Sequence, residues 1–188
     1  LDRPVFIIGC NRSGTTALLR NLSAHPDAWG RYGENTELFR DFFTANSNRG
    51  DRVEPPVDRD ASRALEEALL EVAHNKQYFV RGDRPLVPTK LVQRPLRHVL
   101  RDPPVRFVDK TPENCFKVEL LNTIFPDARF IYVVRDGKAT VSSLLEGWRR
   151  WGGLDAPSTW HYLRPPGWLE MKGESLLDRC LFQWEQAN

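Results

Sequence analysis

The sequence predicts an α/β fold of three layers, with a mainly parallel central sheet flanked by helices. Three observations point to it. Short apolar runs alternate with amphipathic helical stretches, the junctions between them are brief, and the first run is apolar at successive positions, as a strand covered on both faces must be.

That first run is Pro4-Val5-Phe6-Ile7-Ile8. A loop bearing Gly9 and Gly14 follows, and then Leu18, Leu19 and Leu22 recur at helical spacing until His25-Pro26-Asp27 ends the pattern. From Arg59 to Asn75, Ala61, Leu65, Ala68, Leu69 and Val72 share one helical face with acids opposite, which reads as a surface helix. The flanking stretches, Ala45 to Asp58 and Arg81 to Pro104, are polar, Pro-rich or Arg-rich and read as loops or short irregular pieces. A second strand, Val105 to Asp109, leads through Lys110-Thr111-Pro112 into a helix carrying Phe116, Leu120, Leu121 and Ile124, with Pro112 suited to its first turn. A third strand, Arg129 to Val134, is followed by Arg135-Asp136-Gly137 and a helix with Val141, Leu144, Leu145 and Trp148. A last helix, Glu174 to Ala187, sets Leu176, Leu177, Cys180, Leu181 and Trp184 on one face.

The 188 residues, 40% hydrophobic and 28% charged, are expected to form one soluble domain over residues 1–188 with a sizeable core. A formal charge of +2 is too small for a nucleic-acid coat, so no nucleic-acid partner is expected. Cys10, Cys115 and Cys180 lie far apart without a CxxC pair and suggest neither a disulfide framework nor a zinc site. No apolar stretch approaches the roughly 20 residues of a membrane helix, and the start at Leu1 reads without a signal peptide. Two glycosylation sequons begin at Asn11 and Asn21, the first inside the glycine-bearing loop, where a glycan would block it. These features favour a cytoplasmic protein, with the Golgi lumen as the alternative if an anchor has been removed. Both ends read as cut, the C-terminus inside a helix.

Gly9-Cys10-Asn11-Arg12-Ser13-Gly14-Thr15-Thr16 has the G-x-x-x-x-G spacing of a P-loop and lies between a strand and a helix, as that motif requires. Backbone N–H groups of such a loop, with the positive end of the helix, cradle a phosphate. Thr15 stands where a nucleotide triphosphatase carries lysine, and the basic residue has moved to Arg12, which argues against ordinary ATP or GTP hydrolysis. The bland alternative is a capped strand-to-helix turn.

The segment Phe6 to Thr16 resembles the 5′-phosphosulfate loop of the sulfotransferase family, whose core is a basic residue followed by Ser-Gly-Thr-Thr; Asn11 replaces the proline that often precedes the basic residue. Arg129 to Gly137, continued to Ser142-Ser143, is similar to the family's 3′-phosphate segment. Val108-Asp109-Lys110-Thr111-Pro112 resembles the segment that supplies a transition-state lysine in tyrosylprotein and related sulfotransferases. His25 to Glu37 is similar to the His-Pro then Gly-Glu pattern of the tyrosylprotein-type and bacterial enzymes.

The resemblance implies a P-loop-like fold and a nucleotide-binding transferase. Its donor would be 3′-phosphoadenosine-5′-phosphosulfate (PAPS), its product adenosine 3′,5′-bisphosphate, and no metal would be needed. By the same resemblance Arg12, Ser13, Gly14, Thr15 and Thr16 hold the 5′-phosphosulfate and Arg135 and Ser143 the 3′-phosphate. Arg12 and Lys110 stabilise charge during transfer, and Glu34 is the general base for sulfation of a hydroxyl on a sugar, tyrosine, lipid or small molecule. In open parallel sheets ligands bind beyond the carboxyl ends of the strands, so the loop, Lys110 and Arg135 are expected to converge there.

Each assignment has a structural alternative. Arg135 would pair with Asp136 or another acid at the surface, and Ser143 would be a tolerated helix residue; Lys110 would be a solvated loop lysine; Glu34 and Glu37 would be acids near a helix start, with Asn35 or Thr36 as cap. Trp148, Trp151, Trp160 and Trp168 line an acceptor pocket or fill an auxiliary core. His25, His74, His98 and His161 show no pairing or metal spacing. The rival functions are a P-loop kinase or other nucleotide phosphotransferase, with Asp109 as the magnesium-binding acid, and a non-catalytic nucleotide-binding module.

Overall fold

A computed structural model describes residues 1, 3–25, 27–30, 34–36, 38–39, 58–74, 80–81, 84–85, 106–150, 152–153 and 163–188. The elements in chain order are β1 (Val5–Ile8), α1 (Thr15–Ser23), β2 (Ala28–Gly30), α2 (Arg59–His74), β3 (Val80–Arg81), β4 (Arg84–Pro85), β5 (Arg106–Asp109), a 3-10 turn (Pro112–Phe116), α3 (Val118–Ile124), β6 (Arg129–Tyr132), α4 (Gly137–Arg150) and α5 (Leu176–Gln186). Strands β2-β5-β1-β6 form one parallel sheet in that order. Val5 lies opposite both Val108 and Arg129, which puts β1 at the centre with β5 and β6 on its flanks.

All four residues of β1 are buried, and alternation sends them to opposite faces. Phe6 and Ile8 pack with Leu65 and Leu69 of α2 and Leu120 and Leu121 of α3. Val5 and Ile7 pack instead with Leu19 of α1 and Val108 of β5. Helices therefore cover both faces of the sheet, the three layers expected from an unbroken apolar strand. Each of these side chains contributes about 1.5–3 kcal/mol by leaving water. Phe6 also lies near Phe125 and Phe130, with ring centroids 5.7 and 5.6 Å away.

A further core joins Cys10, just past β1, to Val141, Leu144 and Trp148 of α4, to Leu163 and Trp168, and to Cys180 of α5. Trp148 and Trp168 stack there at 5.6 Å and 17°. These two tryptophans fill an auxiliary core, one of the two readings open from sequence; Trp151 and Trp160 lie outside the described residues.

The structure departs from expectation in four places. Ala28–Gly30 forms a strand because it pairs with β5 (Ala28 opposite Arg106, Gly30 opposite Val108), a tertiary cause invisible in a three-residue run. The helix expected after Pro112 starts as a 3-10 turn and restarts at Val118, since Lys117 between them has non-helical dihedrals. Val80–Arg81 and Arg84–Pro85 form a small antiparallel pair inside a stretch read as irregular. The last helix begins at Leu176, where Ser175 Oγ accepts the Asp178 N–H at 3.2 Å as an N-cap. Among the described residues no helix is long and apolar enough to cross a membrane. The expected loops at 45–57 and 86–104, with Glu37, Val105, His98 and His161, lie outside the described residues.

Candidate active site

The 9–16 loop leaves the central strand under close constraint. Gly9 has φ 139°, and a Cβ there would sit 2.5 Å from the Val133 carbonyl oxygen, so the close approach of the neighbouring chain requires glycine. Arg12 has φ 71°, a left-handed conformation that costs a non-glycine residue about 1–3 kcal/mol. Ser13 turns inward: its N–H and its hydroxyl both donate to the Cys10 carbonyl, at 3.2 and 2.7 Å. Gly14 precedes α1 without any side-chain cap, so the amides of Thr15 and Thr16 head a helix whose N-terminus carries positive potential. Thr15 is buried, whereas Arg12, Gly14 and Thr16 are exposed.

Asn11, where the resembling loops often carry proline, is buried and tied down. Its Oδ1 accepts from the Leu163 N–H at 2.9 Å and from Gln183 Nε2 at 3.4 Å. Gln183 Oε1 in turn accepts from Trp148 Nε1 at 3.2 Å. The loop is thus fastened to α4 and α5 by a fully buried amide. Only its place between Cys180 and Trp184, on the apolar face of the last helix, sets Gln183 apart in the sequence.

Arg135, just past β6, donates from Nη1 to the Arg12 carbonyl at 3.0 Å. Arg12 Nε donates to Ser143 Oγ at 2.9 Å, reaching the second turn of α4. Asp136, the surface partner proposed for Arg135, is engaged otherwise: its Oδ1 accepts the Ala139 N–H at 2.9 Å and its carbonyl accepts from the Thr140 hydroxyl at 2.8 Å, so it starts α4.

Lys110, following β5, forms an ion pair with Glu34. The lysine side chain is 5% exposed and the glutamate 28%, so Lys110 is no solvated loop residue. Glu34 also lies at the start of a helical turn, where the Phe39 N–H donates to the Asn35 carbonyl at 2.9 Å. That position agrees with the helix-start reading of Glu34.

Beneath this pair is a buried polar cluster. Asp109 Oδ1 accepts from Asn35 Nδ2 at 2.6 Å and from Thr111 Oγ1 at 3.2 Å, while Oδ2 accepts from Asn114 Nδ2 at 2.8 Å. The Asn35 N–H donates to Thr111 Oγ1 at 3.0 Å. Burial pushes the Asp109 carboxyl up to about 6, opposed by the hydrogen bonds from Asn35 and Thr111 and by Lys110. Burial likewise raises Glu113, whose Oε2 accepts from Thr36 at 3.4 Å. With both oxygens engaged and its side chain inside the protein, Asp109 is not presented to a nucleotide-bound magnesium ion, which removes the acid that a kinase reading needs.

Among the described residues no group of His, Cys, Asp and Glu is placed to hold a metal ion. His25 is exposed, its Nδ1 accepting the Asp27 N–H at 3.1 Å. Cys10, Cys115 and Cys180 are free thiols, each pushed up to about 12, chiefly by burial.

The two clusters, Arg12 with Arg135 and Ser143, and Glu34 with Lys110, stand at the carboxyl ends of the adjacent strands β5, β1 and β6. A parallel sheet whose central strand feeds a glycine-bearing loop and a helix at that edge belongs to the P-loop-like α/β class. The model of the sulfotransferase family matches residues 4–161, and the chain belongs to that family.

Over 153 residues the chain is 28% identical to protein-tyrosine sulfotransferase 1 of Homo sapiens, which covers 77% of this chain and 34% of that protein. Over 143 residues it is 27% identical to protein-tyrosine sulfotransferase of Drosophila melanogaster, covering 75% of this chain and 25% of that protein. A crystal structure of a sulfotransferase from Mycobacterium tuberculosis H37Rv superposes with a TM-score of 0.43 at 17% identity, over 98% of this chain and 58% of that one. The chain spans about a third of the length of the human relative.

Proposed function

We propose that this chain is the donor-binding and catalytic core of a sulfotransferase that moves a sulfuryl group from PAPS to a hydroxyl acceptor. The observation that carries the reading is the convergence of Arg12, Arg135 and Ser143, where Arg12 touches the other two although they lie 123 and 131 residues away. On this reading Arg12, Ser13, Gly14, Thr15 and Thr16 hold the 5′-phosphosulfate, and Arg135 and Ser143 hold the 3′-phosphate. The donors that Arg135 turns to the Arg12 carbonyl and Arg12 to Ser143 Oγ are the hydrogen-bonding capacity that the phosphates would take over.

In the transfer the acceptor oxygen attacks sulfur and the bond from sulfur to the bridging phosphate oxygen breaks. Adenosine 3′,5′-bisphosphate leaves with the bonding electrons. Arg12 and Lys110 stabilise the charge that builds on the sulfuryl and leaving oxygens. Glu34 takes the acceptor proton as the oxygen attacks. The Lys110–Glu34 pair holds both groups at the strand edge until substrates separate them, the ammonium turning to the donor and the carboxylate to the acceptor hydroxyl.

The names of the relatives make a tyrosine hydroxyl the first acceptor to try, ahead of sugar, lipid and small-molecule hydroxyls. Calorimetry with adenosine 3′,5′-bisphosphate and with ADP, each with and without magnesium, tests the donor site. The expected result is metal-independent binding of the bisphosphate and much weaker binding of ADP, which lacks the 3′-phosphate. A strict magnesium requirement or a preference for ADP would overturn the reading.

A further inference from the structure

Asp109 has no part in the chemistry proposed above, yet it is the hub of the polar cluster under the Glu34–Lys110 pair. We propose that Asp109 is a positioning residue whose carboxylate, by holding Asn35, Thr111 and Asn114 together, fixes Glu34 against Lys110. The catalytic meaning of that pair rests on the proposed function; the mechanical role of Asp109 does not.

Asp109 is the last residue of β5 and lies opposite Phe6 of the central strand, so its backbone is held by the sheet. Lys110 follows it directly. Glu34 lies on none of the described strands; it comes from a segment 76 residues earlier, and its neighbour Asn35 makes the connection. Asn35 Nδ2 to Asp109 Oδ1, Thr111 Oγ1 to Asp109 Oδ1 and the Asn35 N–H to Thr111 Oγ1 close a ring of three hydrogen bonds, at 2.6, 3.2 and 3.0 Å. Asn114, from the 3-10 turn, braces the other carboxylate oxygen at 2.8 Å. Asn35, Asp109, Thr111 and Asn114 are all buried, so water offers little competition for these bonds. The residue after Glu34 and the residue before Lys110 are thereby clamped to each other, and two flexible side chains meet in one geometry.

The cluster also indicates which substitution will be tolerated. Among the described residues Asn114 Oδ1 has no hydrogen-bond partner although it is buried. In Asp109→Asn the new amide keeps an oxygen for Asn35 and Thr111, and its NH₂ can donate to Asn114 Oδ1 once the Asn114 amide turns over. Asp109→Ala removes the oxygens that accept from Asn35 Nδ2, Thr111 Oγ1 and Asn114 Nδ2.

The test is a double-mutant cycle in urea unfolding on the full-length protein. Glu34→Gln, Lys110→Met and the double variant are measured in three backgrounds: parent, Asp109→Ala and Asp109→Asn. The expected coupling between Glu34 and Lys110 is about three-fold or more in the unfolding constant of the parent, absent in Asp109→Ala, and retained in Asp109→Asn. Should Asp109→Ala fail to fold, Asn35→Ala cuts the same ring from the other side and is expected to abolish the coupling equally. A purely structural Asp109 would lower stability and leave the coupling unchanged, which would overturn the proposal, as would loss of coupling in Asp109→Asn. Turnover of Glu34→Gln by itself tests whether Glu34 is the base, so that reading and this one can fail separately.

Discussion

Two carboxylates at this site have opposite situations, and each yields its own experiment. Glu34 is part-exposed beside Lys110. If it takes the acceptor proton, Glu34→Gln lowers turnover by about 10²–10⁴-fold while affinity for adenosine 3′,5′-bisphosphate stays within about two-fold. A variant that loses only melting temperature would leave Glu34 as a helix-start acid. Asp109 is sealed in, and burial lifts its carboxyl from an ordinary 3.8 to about 6, with Lys110 opposing and Glu34 reinforcing the shift. The native state then binds this proton more tightly than the unfolded chain does. Its contribution to stability is full below about pH 4 and is lost as pH rises to about 6. Melting temperatures of parent and Asp109→Asn should therefore diverge in the variant's favour across that window and run parallel above it; divergence in the other direction would mean that the acid is not held protonated. Arg12, Lys110, Arg135 and Ser143 could be singled out as candidates in the sequence because each lies in a short segment that resembles a family motif. Asn35 and Asn114 were not, since what they do depends on a carboxylate that the fold brings to them.

At the level of elements, the strand-loop-helix unit from β1 to α1 makes the sharpest contrast. Gly9 and Gly14 both have positive φ, but a Cβ at Gly9 would collide with the Val133 carbonyl oxygen, whereas one at Gly14 meets nothing within 4 Å. Gly14→Ala is expected to cost about 1–3 kcal/mol in urea unfolding, from backbone strain alone. Gly9→Ala is expected to cost clearly more, since it must also push β1 from the chain that follows β6. Equal losses would show that backbone strain is the whole effect at both sites. The long periodic elements, α2, α4 and α5, were legible because amphipathic spacing over several turns has no good alternative. β2 and the 3-10 turn were not, for opposite reasons: β2 exists through its partner β5, and the turn is set by a break at Lys117 that no spacing announces.

Across the whole molecule, the glycine-bearing loop is held from far away. Asn11 reaches Leu163 and Gln183, and Gln183 reaches Trp148. Gln183→Leu keeps the bulk but removes the oxygen that accepts from Trp148 Nε1 and strips Asn11 of one donor. It is expected to cost about 1–3 kcal/mol and to weaken adenosine 3′,5′-bisphosphate, although Gln183 is fully buried. Unchanged affinity in calorimetry would confine Gln183 to packing. The parallel order β2-β5-β1-β6 has a last consequence, for the growing chain on the ribosome. β1 is made before the strands on both of its sides, for Val5 pairs with Val108 and Arg129. At about 5–20 residues per second, the bare segment Val-Phe-Ile-Ile waits roughly 5–20 s for its neighbours. Synthesis therefore passes through a stage in which this apolar strand has emerged without the partners on either side of it and is open to chaperone capture or aggregation.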